Sequence, residues 1–87
     1  MTFWIKCSTI EKGMFPSEYA VEMDTSEAGK ISLFAPADKV READNLMRVE
    51  MLQDNNGGGV FVRLPARPFE ISSQTVKVPS NSVIREE

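Results

Sequence analysis

An alternation of apolar and polar residues runs from Met47 to Leu64, interrupted by Asp54-Asn55-Asn56-Gly57-Gly58-Gly59, and it constrains this chain more than any other feature. A period of two places successive side chains on opposite faces of a strand, and Asn and Gly tolerate the positive φ of a tight turn, so the stretch predicts a β-hairpin. With Asn56 and Gly57 as a two-residue turn, Val49 faces Leu64, Glu50 faces Arg63, Met51 faces Val62 and Leu52 faces Phe61. Apolar groups then meet apolar groups, and acid meets base. A slip of one residue would mix the two faces, which fixes register wherever one face is buried.

Glu18 to Asp24 and Lys30 to Ala35 alternate in the same way around the turn-forming Thr25-Ser26-Glu27-Ala28-Gly29. They predict a second hairpin with Val21 opposite Leu33 and Met23 opposite Ile31. Thr2 to Ile10 reads as a first strand, with Phe3, Ile5 and Cys7 on one face and Trp4, Lys6 and Ser8 on the other. Phe3 is the expected core residue of the two aromatics; Trp4 packs at a barrel end or stands available to a partner. Glu11-Lys12-Gly13 is expected to turn the chain, and Pro16 keeps Met14 to Ser17 out of any ladder. Ala37 to Asp44 holds helix formers, with Val40 and Ala43 at helical spacing, so one short helix near 37–45 or a charged loop is expected there. Phe69-Glu70-Ile71 and Thr75-Val76-Lys77-Val78 read as short extended pieces, and Val83-Ile84 as a last strand stub. Phe15-Pro16-Ser17, Ala35-Pro36-Ala37, Leu64-Pro65-Ala66 and Val78-Pro79-Ser80 share an apolar-Pro-small pattern at irregular spacing and read as strand stops.

The expected fold is therefore mostly all-β: a small antiparallel β-barrel or roll of five to seven short strands in a single domain spanning residues 1–87. The six residues Val78-Pro79-Ser80-Asn81-Ser82-Val83 resemble the end of Src-homology-3 (SH3) domains, where a strand runs into a Pro-Ser-Asn 3₁₀ turn and a final strand. The resemblance implies SH3-like topology and nothing about a ligand, because the N-terminal aromatic peptide-binding motif is missing and Ser82 stands where Tyr is usual.

Composition excludes several kinds of chemistry. The 87 residues contain no His, so Ser-His-Asp and Cys-His catalytic arrangements have no base. Cys7 is the only cysteine, so no internal disulfide forms and no zinc ligand set exists; no cofactor or metal is expected. Cys7 shares a face with Phe3 and Ile5 and is read as a small buried hydrophobe. The carboxylates Glu18 and Glu22, or Asp38, Glu42 and Asp44, are the material for an enzymatic or ligand-binding barrel, yet their spacing is that of a solvated face. Asp54-Asn55-Asn56-Gly57 lacks the acid of a calcium loop, since Pro65 occupies its twelfth position, and no P-loop Lys follows Gly57-Gly58-Gly59.

The net charge is −3 with no basic tract, which disfavours nucleic acid and an anionic membrane surface. The N-terminus lacks signal-peptide character, and a free thiol without an export signal points to the cytoplasm. A domain this short buries roughly 60% of its unfolded-chain surface, so self-association is the support left open to it. Trp4, Phe15, Leu52, Phe61, Arg63 and Arg67 form the candidate interaction surface, with Leu52 and Phe61 as an apolar pair on the outer hairpin face. The function expected is a non-enzymatic protein-interaction or assembly module whose partner is another protein or a second copy. A carboxylate-using barrel and a weak nucleic-acid binder are the alternatives.

Overall fold

The computed structural model describes residues 1–54 and 58–87. Among them the chain forms nine strands: β1 Thr2–Lys6, β2 Thr9–Lys12, β3 Glu18–Asp24, β4 Lys30–Pro36, β5 Val40–Arg41, β6 Leu46–Asp54, β7 Val60–Arg63, β8 Thr75–Val78 and β9 Val83–Glu86. Single 3₁₀ turns occupy Ala37–Lys39, Glu42–Asp44 and Ser80–Ser82. Every strand pair is antiparallel. One sheet runs β8-β7-β6-β1-β9, with β5 also on β6; the other runs β2-β3-β4. The mostly all-β, antiparallel architecture expected from the alternation is present.

The two sheets share one apolar cluster. Ile5, Met47, Val62 and Val78 enter it from the first sheet, and Met23, Ile31 and Ala35 from the second, each at most 1% exposed. Burying a side chain of this size contributes roughly 1.5 to 3 kcal/mol, so the alternation sets both the strands and their facing. The second hairpin pairs as its sequence predicts, Val21 with Leu33 and Met23 with Ile31. Gly29 takes φ +71 in its turn, a conformation that L side chains rarely adopt.

The central hairpin keeps the predicted register at Glu50–Arg63 and Met51–Val62, then shifts by one residue, so that Gln53 faces Phe61 and Asp54 faces Val60. The expected Leu52–Phe61 pair is not made. Without the bulge, Gln53 would face Val60, which points into the core, and a buried amide without a partner costs about 1 to 3 kcal/mol. The bulge turns Gln53 to solvent and leaves Leu52 47% exposed at the irregularity. The Asn56-Gly57 turn lies outside the described residues.

Several other boundaries move. The strand expected over Thr2 to Ile10 breaks at Cys7-Ser8, where the Cys7 N–H donates to the Asn45 carbonyl and the Ser8 N–H donates to Glu22. The chain leaves the first sheet there and enters the second. Asn45 adopts the left-handed conformation (φ 58), and its Nδ2 reaches the Cys7 carbonyl at 3.4 Å. Glu11 and Lys12 belong to β2 instead of a turn, because β3 offers Ala20 and Tyr19 as ladder partners. The 37–45 segment carries helical character as two single 3₁₀ turns, separated by the two-residue β5, in place of one continuous helix. Phe69-Glu70-Ile71 is irregular, while Thr75 to Val78 is a strand whose Val76 and Val78 face Val62 and Val60. Strands end at or just before Pro36, Pro65 and Pro79, as the recurrent motif predicts.

Leu33→Ala, which empties a fully buried site, should lower the free energy of unfolding by about 2 to 5 kcal/mol in urea titration, whereas Leu52→Ala should change it by less than about 0.5 kcal/mol.

Candidate functional site

The six residues singled out from sequence have separate fates. Trp4 is buried at 8% exposure and so is no free contact group. Alternation places it on the face opposite Ile5, but β9 flanks β1 there with Ile84 beside Trp4, and the Arg41 guanidinium lies 4.3 Å above its ring. Arg41 in turn donates to both Glu86 carboxylate oxygens, at 2.8 and 3.0 Å. That pairing raises the Arg41 pKa and lowers that of Glu86, chiefly through the side-chain hydrogen bonds. The indole N–H adds a smaller pull on Glu86, although Nε1 itself sits buried without a partner in full hydrogen-bond geometry. Phe3, expected as the core aromatic, is only half-buried beneath Arg85, 5.5 Å from its ring centroid.

Phe61 is half-buried by its own chain: Lys77 Nζ lies 5.8 Å from the ring centroid and also pairs with Glu27 at 3.6 Å. Leu52 and Phe61 are not ladder partners, because the register shifts between Met51 and Gln53. Arg63 and Arg67 are exposed. Arg63 faces Glu50 across the ladder, but no ion pair forms between them. Phe15 stands 62% exposed beside Met14 at 77%, in the connection between β2 and β3. Lys12, Met14, Phe15, Pro16 and Tyr19 surround a shallow recess at this tip. Met14 was not among the residues picked out from sequence. Its signal was adjacency to Phe15 and Pro16 in a segment barred from the ladder.

The outer edge of β2 carries no backbone hydrogen bond among the described residues, because β3 takes only its inner edge. The opposite edge of that sheet is covered. The Phe69 N–H donates to the Ser32 carbonyl at 2.9 Å, the Ser32 N–H and hydroxyl donate to the two Glu70 carboxylate oxygens at 2.7 and 2.5 Å, and Phe69 meets Phe34 edge to face at 5.3 Å. An unpaired strand edge is a template for another chain, so β4 is blocked and β2 is left open.

Cys7 is buried, its Sγ 3.7 Å from the Ile5 carbonyl, and burial pushes the thiol up to about 12. A thiol so far above neutrality is a poor nucleophile, in keeping with its reading as a small hydrophobe. Among the described residues no group of three or more His, Cys, Asp or Glu side chains could hold a metal ion. Glu18 is half-buried, Glu22 is exposed, and Asp38, Glu42 and Asp44 sit exposed around the 3₁₀ turns. No helix among the described residues is long and apolar enough to cross a membrane.

The Ser32 hydrogen bonds hold the Glu70 carboxyl below its ordinary range. The latch is therefore complete above the unfolded carboxyl value of about 4.3 and is lost as pH falls through the lower folded value. An NMR pH titration should show the Ser32 amide moving upfield in that acid window, and Glu70→Gln should remove the transition.

No protein family, curated protein or solved structure matches the chain.

Proposed function

We propose that this chain is a non-enzymatic interaction module of the cytoplasm that assembles with a second copy of itself through the β2–β3 tip and the adjoining open edge of β2. The observation that carries this reading is the placement of Met14 and Phe15, two neighbouring large apolar side chains more than 60% exposed, beside a strand edge with no backbone partner among the described residues. An added strand satisfies such an edge with main-chain hydrogen bonds while apolar anchors supply affinity. The short chain favours the same conclusion, since self-association adds buried area that 87 residues supply sparingly. Leu52 and Arg67, both exposed, remain secondary members of the contact surface.

The small-barrel, SH3-like reading belongs with this proposal. Its support is the single 3₁₀ turn at Ser80–Ser82 leading into β9, which pairs with β1.

Sedimentation velocity over about a hundredfold range of concentration tests the assembly reading. Wild type should rise above the 9.7 kDa monomer mass as concentration increases, and Phe15→Ser should remain a monomer. A strict wild-type monomer, or association unchanged by the substitution, would contradict it.

A further inference from the structure

Lys39, Arg48 and Arg63 come from the first 3₁₀ turn, β6 and β7, and together line one cleft of about 390 Å³. The chain as a whole carries a net charge of −3, yet the cleft sets these three cations against Glu50 as its one lining acid. Among the described residues none of the four takes part in an ion pair. Lys6, Lys12, Arg67 and Arg85 are likewise without an ion pair among the described residues, so what sets these three cations apart is that they line one recess. Phe3, Val49, Met51 and Leu64 supply the apolar part of the lining.

The cleft opens where the ladders on β6 change hands. β1 pairs with β6 as far as Val49, β7 pairs with it from Glu50 onward, and Leu64-Pro65 leads the chain away. Two guanidinium groups offer planar, paired donors that match carboxylate oxygens, and the ammonium adds a third positive group. From this geometry we infer that the cleft binds an acidic peptide segment of a partner protein, with carboxylates on Arg48, Arg63 and Lys39 and a neighbouring apolar side chain against the half-buried Phe3 and Met51. The apolar lining favours such a segment over a bare inorganic anion. A nucleic-acid strand is disfavoured, because its affinity comes from an extended run of cations, and the chain as a whole carries a net charge of −3 with no basic tract. The cleft shares no lining residue with the Met14–Phe15 tip, so it is a second contact surface independent of self-association.

The test is an amide NMR titration of the full chain with a capped peptide of alternating Glu and Leu, run beside the Gln-Leu counterpart, inorganic phosphate and a single-stranded oligonucleotide. The Glu-Leu peptide should shift the amides of Phe3, Lys39, Arg48 and Arg63, with the Gln-Leu peptide inert. Arg48→Gln with Arg63→Gln should weaken binding about tenfold or more, and Glu50→Gln should tighten it; all three positions are exposed, so each variant should fold. Absent shifts, equal shifts from the Gln-Leu peptide, insensitivity to the arginine substitutions, or matching affinity for phosphate or the oligonucleotide would overturn the inference. Sedimentation reads the β2–β3 contact separately, so either surface can fail without the other.

Discussion

The main-chain ladder on β6 is the interaction on which the rest of this structure depends. Nine residues long, it takes β1 on one edge and β5 and β7 on the other, so three parts of the chain distant in sequence are fixed by one strand. Met47, fully buried, shows what that does for the core: Ile5 and Val40 are its ladder partners on the two sides. Ladder bonds each contribute modestly, about 1 kcal/mol net, and their larger effect is directional. They aim the alternating apolar side chains into the space that β3 and β4 close from the other side.

One polar residue modifies this frame. Unbroken pairing would carry Gln53 to the inner face opposite Val60, and the bulge between Met51 and Gln53 prevents it. The same shift separates Leu52 from Phe61 and lets Phe61 come under Lys77. Leu52 stands 47% exposed at the bulge, and the exposed tip at Met14 and Phe15 lies apart from it in the β2–β3 connection.

Much of the fold was legible because alternation reports burial directly. The β3–β4 register, the strand stops at Pro36 and Pro79 and the final 3₁₀ turn follow from local residue chemistry. What escaped depended on contacts between distant segments. Trp4 is covered by Arg41 and Ile84, neither near it in sequence, and β2 extends to Lys12 only because β3 is there to pair with it. The bulge does have a local signal, since unbroken pairing would set the polar Gln53 opposite the buried Val60. The cleft of Lys39, Arg48 and Arg63 had none, since spacings of 9 and 15 residues carry no information until β6 and β7 pair.

The parity change in the central hairpin is the point on which this account stands. Cross-strand nuclear Overhauser contacts in isotope-labelled protein read it directly. The account predicts backbone contacts between Met51 and Val62 and between Asp54 and Val60; contacts of Gln53 with Val60 in place of Asp54 would contradict it.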